Sequence, residues 1–509
     1  MNKFKILLFL IVVFIISFTV LPLYQDTSDQ NLYFTFGLAK AGAGYLANDW
    51  FSSTPSPYPI FDQIIILTKN LGAMFFTYFY QIIFMMLYFF ALTEIPVKIF
   101  KIKRTSLAYF MSSSVLIFMH CLPINKILES ANLLSFKVFF QGVGGQYLIN
   151  QFFQPSSFDA LLLFSIYLFL VNRPYLAVAS IAVATTFHIS IILISISLTI
   201  AYLLIIYLKE KDLVKISKIG LTALLLNAPI VLLMLVRMHA LTAPPDITAE
   251  AMKVFSFFRA ADHVLISQWF FQFSGILKIS LILLSLWICR NSRLKHIILI
   301  PFCIGLVFTF LQVVLKSNLL ILILPWRVFA LLVPLASSII VFSLFEKRLN
   351  IKNPFLENTV QKILYICILS LIFLGLAHMR YMFPYPFDKH ARFDILDYVK
   401  NNKSPNDLYV IPINEKKFRI YTEAPVFVDF KCFPLGAENG LEWYKRIKLV
   451  EAFYKAPSIE SMNALKNIQS IYKITHVLIK DHKPKLDLEK VKLIYKNQRY
   501  SLYKLGVTY

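Results

Sequence analysis

The 509-residue chain is 58% hydrophobic and only 16% charged, with a mean hydropathy of +0.65, which excludes an ordinary soluble globular protein. Its formal net charge of +23 would suit nucleic acid, but much of the excess lies in short basic segments between apolar runs, where Lys and Arg act as orientation signals, so no nucleic-acid partner is expected. Five cysteines without a pairing framework or metal-ligand spacing exclude a disulfide scaffold and a Cys-based zinc site.

Apolar runs near the length needed to cross a bilayer recur at 6–24, 71–93, 106–122, 158–171, 175–188, 190–208, 217–236, 269–289, 296–315, 319–345 and 361–383. The first follows a basic start, Met1 to Lys5, and has no small-residue cleavage site after it, so it reads as an uncleaved span. The stretch 175–208 is long for one span and short for two; a hairpin at Phe187-His188-Ile189-Ser190 would make it two. Segments 94–105, 209–218, 290–295 and 346–353 are basic, and strict alternation from a cytoplasmic N-terminus puts all four on the cytoplasmic side. The loops 25–70, 123–157 and 237–268, and everything after about 384, then face outward.

The first outer loop contains Gly42 to Pro59, GAGYLANDWFSSTPSPYP, whose Ser, Thr and Pro cannot continue a helix. It holds Asp49, either a cap for the following turn or a base poised over a membrane-borne substrate. Residues 59–70 are amphipathic enough to lie in the interface. The glycines Gly142, Gly144 and Gly145 neither follow a strand nor open a βαβ unit, so they carry no nucleotide-binding reading.

Further polar residues fall at the same outer level: His188, Arg259, Asp262, His263 and Arg327. Charge at membrane depth is costly and usually pairs or lines a cavity. Arg327, in LILPWRVFALL, is either a structural anchor or a phosphate ligand, for which the guanidinium fork is suited. His188 is either a packing histidine or a substrate ligand or proton carrier. Arg259, Asp262 and His263 are spaced to share one face or turn, as a salt bridge or as phosphate contacts. Acids and histidines without HExxH or DxD spacing give only weak support for a divalent cation, and no metal ligand is assigned.

The last 125 residues, 385–509, alternate strand-like and helical segments and read as a small extracytoplasmic α/β domain. Strands are expected at 408–411, 426–428, 476–479, 491–495 and 500–503, and helices at 391–402, 438–455 and 458–470. Its 22 Lys and Arg against 14 Asp and Glu favour an anionic membrane surface or substrate. Phe418-Arg419, Asp429-Phe430-Lys431 and Glu442 to Arg446 form its densest polar-aromatic cluster, suited to sugar stacking or to folding.

LANDWF, the hairpin FH, FRAADH, LPWRVFALL and FRIYTEAPVFVDFKCFPLGAENGLEWYKRI together resemble an uncharacterised bacterial family of polytopic membrane proteins, similar to the GT-C superfamily of glycosyltransferases. The resemblance implies about eleven transmembrane helices in residues 1–384 and an outer α/β domain after them, in a bacterial cytoplasmic (inner) membrane. It also implies inverting transfer of a sugar from a polyprenyl-phosphate donor to an extracytoplasmic glycan or lipid acceptor. Asp49 would be the base, and Arg327, with His263 or Arg259, would contact the phosphate. The chain departs from many such enzymes in having one clear loop acid rather than a pair. The alternative is a transporter, flippase or polymerase of lipid-linked glycans; for the first two, inverted repeats and broken midplane helices are expected and do not stand out.

Overall fold

The computed structural model describes residues 28–348 and 391–506, apart from 105, 121–124, 126–127, 151, 456–457 and 481–490. These residues form two compact units. The first comprises Tyr78–Leu235 and the stretch from Ala260 to Arg348; the second joins residues 28–77, Val236–Arg259 and 391–506. The loop carrying Asp49 and part of the loop before Ala260 thus belong to the same unit as the C-terminal residues.

The first unit is helical. Phe76–Phe100, Ile189–Glu210, Leu213–Ala240, Leu294–Leu315 and Leu320–Lys347 are long and apolar enough to cross a bilayer. Shorter apolar helices run over Leu107–Met119, Pro155–Leu170, Pro174–Phe187 and Phe273–Ile288. These helices make the chain an integral membrane protein, and each corresponds to one expected apolar run; the runs at 6–24 and 361–383 lie outside the described residues. The doubtful stretch 175–208 is two helices. Pro174 starts the first at a position where its missing N–H costs nothing, and His188 ends it in a non-helical conformation, φ −135° and ψ 72°. Glu94, buried near the end of Phe76–Phe100, accepts from Arg104 Nε at 3.0 and 3.1 Å, so this intramembrane acid carries its own countercharge.

In the second unit the helices Ser28–Lys40 and Pro59–Asn70 pack together. A Cβ on Gly37 would fall 2.6 Å from Ile65 Cβ, so only glycine permits this approach. Phe61 and Ile65 are fully buried, so the apolar face of 59–70 is used inside the unit rather than laid on a bilayer; Leu67 is left exposed. The sheet contains β1 (Tyr409–Val410), β2 (His476–Lys480), β3 (Val491–Lys496) and β4 (Tyr500–Leu505) in the order β1-β2-β4-β3. β1 runs parallel to β2, and the other pairings are antiparallel. The expected strand at 426–428 is reduced to a bridge between Tyr409 and Val426. Alternation along β2 sends Val477 and Ile479 to a core with Trp443, Ile447 and Phe453, and Leu478 to a second core with Ile395 and Leu396.

Candidate functional site

In the first unit, charged and polar groups gather around two chain breaks. The 3₁₀ turn Pro155–Asp159 opens into the helix Ala160–Leu170 and leaves Asp159 at the junction. The break at His188 brings its imidazole to that carboxylate: Nδ1 lies 2.8 Å from both Oδ1 and Oδ2. Phe158 and Phe187, the preceding neighbours, stack at 4.0 Å between centroids and 15° between planes. Both members of the couple are buried. An ionised carboxylate only accepts, so Nδ1 donates to it and Nε2 is the basic nitrogen of the neutral ring.

Arg327 ends the 3₁₀ turn Pro325–Arg327, immediately before the helix Val328–Arg348. Its Nη1 donates to Ser190 O at 3.3 Å, two residues beyond His188, and its Nε donates to Gln146 Oε1 at 3.2 Å. Gln146 closes a tight turn in which Gly142 N donates to Gln146 O at 2.7 Å and Gly144 and Gly145 take positive φ, 61° and 71°. Three basic side chains from separate helices converge on this turn. Besides Arg327, Lys278 Nζ donates to Gly142 O at 3.0 Å and His263 Nδ1 lies 2.6 Å from Gly144 O. Gln146 Nε2, Trp269 Nε1 and Trp326 Nε1 are buried donors that have no acceptor among the described residues. The cluster is rich in donors and positive charge, and the carboxylate contributed to it by hydrogen bonding is Asp159.

Asp49 is placed elsewhere. It caps the four-residue helix Trp50–Ser53, with Phe51 N donating to Oδ1 at 2.8 Å. Its Oδ2 accepts from Val426 N and from Arg419 Nε, each at 2.8 Å. Arg419 also pairs with Asp429 and donates to Cys432 Sγ at 2.8 Å, and all four side chains are buried. Burial works against the Arg419 charge, but Asp429 and Asp49 outweigh it and raise the guanidinium further above its usual range. The Cys432 thiol is pushed well up, chiefly by burial. A fully buried carboxylate with both oxygens engaged anchors the second unit, and in this arrangement Asp49 is bonded to Arg419, Phe51 and Val426 rather than presented as an open base.

Arg259, Asp262 and His263 fall on either side of the boundary between the two units. Arg259 ends a π-turn, donates through Nη2 to Lys431 O at 3.0 Å and lies over the Phe430 ring, all within the second unit. Burial lowers its pKa. Asp262 and His263 belong to the short helix Ala261–Val264 of the first unit, where Asp262 is exposed and His263 holds the glycine turn. Among the described residues no three His, Cys, Asp or Glu side chains converge as a metal site.

Three of the participating side chains, Asp159, Gln146 and Lys278, were not singled out in the sequence. Asp159 stands just inside an apolar run, in SSFDALLLF, and a charge at that depth is itself a signal. Gln146 is not titratable and gave none.

Residues 393–450 match a domain of unknown function, DUF6798. No curated protein matches the chain. Among solved structures, the chain is similar to ArnT from Cupriavidus metallidurans bound to undecaprenyl phosphate, with a TM-score of 0.48 and 11% identity, covering 100% of each chain.

Proposed function

We propose that this protein is a membrane glycosyltransferase that takes a sugar from a polyprenyl-phosphate carrier and passes it to an extracytoplasmic glycan or lipid, with the carrier phosphate held at Arg327. The observation that carries this reading is the convergence of Arg327, Lys278 and His263 on one turn, beside buried donors that lack acceptors. Positive charge that is buried at Lys278 and half-buried at Arg327 and His263, with little matching acid, favours an anionic partner. A phosphate oxygen pair suits the guanidinium fork, and the N-terminus of the helix Val328–Arg348, which begins one residue after Arg327, adds a favourable dipole. The distribution of the basic segments supports a site at the outer face of a bacterial cytoplasmic membrane.

The test is binding of undecaprenyl phosphate to the purified full-length protein in lipid nanodiscs. Arg327→Ala should weaken binding at least about tenfold, and Arg327→Lys should recover only part of it, because a point charge cannot replace the fork. Equal binding by wild type and Arg327→Ala would remove the phosphate from this position.

A further inference from the structure

We propose that Asp159 is a positioning residue that holds His188 as the proton acceptor of the transfer; this rests on the sugar-transfer reading above. The geometry is that of a carboxylate–imidazole couple. Both carboxylate oxygens lie 2.8 Å from Nδ1, the chain neighbours Phe158 and Phe187 stack on each other, and Nε2 is directed away from the acid by the planarity of the imidazole. The couple adjoins Arg327 through Ser190 O, so the proton acceptor and the proposed phosphate ligand share one turn of backbone. Asp49, by contrast, has both oxygens engaged in the other unit.

In the step, the acceptor hydroxyl oxygen attacks the anomeric carbon and forms the new C–O bond. Its proton passes to His188 Nε2. The bond from the anomeric carbon to the phosphate oxygen breaks, and the departing polyprenyl phosphate keeps the electron pair beside Arg327. The imidazolium so formed is stabilised by the Asp159 carboxylate, which remains ionised. The charged groups bearing on the couple are Asp159 itself and Arg327; Lys278 and His263 sit on the adjoining glycine turn.

The experiment is ¹⁵N NMR of His188 in the full-length protein in nanodiscs, titrated with pH for wild type, Asp159→Asn and Asp159→Glu, alongside release of undecaprenyl phosphate from undecaprenyl-phosphate-linked glucose. The expected result is an Nδ1-protonated neutral ring in wild type and in Asp159→Glu, with that tautomer preference lost in Asp159→Asn. Turnover, where this donor is used, should drop about 10²–10⁴-fold in kcat in Asp159→Asn with KM little changed. An Nε2-protonated tautomer in wild type, a tautomer unmoved by Asp159→Asn, or turnover indifferent to Asp159→Asn would each overturn the proposal. The imidazole measurement decides without knowledge of the sugar. Failure of Arg327→Ala to weaken phosphate binding would instead strike the underlying function and leave the couple's tautomer standing.

Discussion

Asp49 and Arg419 are 370 positions apart in the chain and meet at 2.8 Å between Oδ2 and Nε, with neither side chain more than 2% accessible. Val426 N reaches the same oxygen, so one carboxylate ties the first loop of the chain to two points of the C-terminal segment. Removing one partner of such a pair strands the other in a medium that cannot solvate it.

Arg419→Ala leaves Asp49 and Asp429 facing each other without a counter-ion and should destabilise the second unit by about 3–5 kcal/mol. Asp49→Asn keeps the shape and one hydrogen-bond acceptor, so its cost should be smaller, about 1–3 kcal/mol. Chemical denaturation of the purified protein, followed by Trp fluorescence, measures both. Asp49→Asn that unfolds like wild type yet stops sugar transfer would return the base role to Asp49.

The glycine turn is sensitive at one position. A Cβ on Gly142 would lie 2.6 Å from Ala330 N and 2.8 Å from its Cα, and backbone atoms cannot step aside as a side-chain tip can. Gly142→Ala should therefore displace Gln146 and the oxygen that Lys278 holds. Undecaprenyl phosphate binding is expected to weaken about tenfold or more, and unchanged affinity would show that the turn does not shape the site.

Arg446 lies 4.0 Å from the Trp50 ring centroid, 4.8 Å from that of Tyr472 and 5.0 Å from that of Phe427, while its Nε pairs with Glu442 at 2.8 Å. A planar guanidinium stacks on rings in a way an ammonium does not. Arg446→Lys should lose about 1–2 kcal/mol of stability although the charge is retained, and a denaturation midpoint equal to wild type would show that charge alone suffices.

His476 stacks on Tyr409 at 4.7 Å between centroids, and burial lowers its pKa despite the opposing pull of Asp407. The folded state therefore binds this proton less readily than the unfolded chain. The resulting stability is fully present above the unfolded value near 6.5 and is lost as pH falls through that value toward the lower folded one. The thermal midpoint of wild type should fall between pH 7.5 and 5 by more than that of His476→Gln; parallel pH curves would remove His476 as the cause.

The spans between Phe76 and Lys347 were legible because lipid demands long apolar runs, and the break at His188 was legible because no single helix could use 34 residues economically. Four of the C-terminal strands and three of the helices declared themselves by period and turn residues, whereas the short helix Phe418–Thr422 did not. The Arg419–Asp429 cluster stood out as polar and aromatic, but nothing in the sequence pairs it with Asp49, because a contact across such a separation has no periodicity. Asp159 was hidden by its apolar neighbours. Arg259 and His263 were read as one turn because they are four residues apart, whereas the chain passes from one unit to the other between Arg259 and Ala260.

The second unit is assembled from three stretches of chain, and that fixes an order of events during synthesis. At the roughly 5–20 residues per second of translation, Asp49 emerges about 20–70 s before Arg419 exists. Through that interval the first loop holds a carboxylate and the aromatic side chains of Trp50 and Phe51 with no countercharge from the C-terminal segment to bury against. Biogenesis thus includes a waiting period in which the loop carrying Asp49 depends on chain made 370 residues later, and synthesis that stops short of Arg419 would leave that loop unfinished.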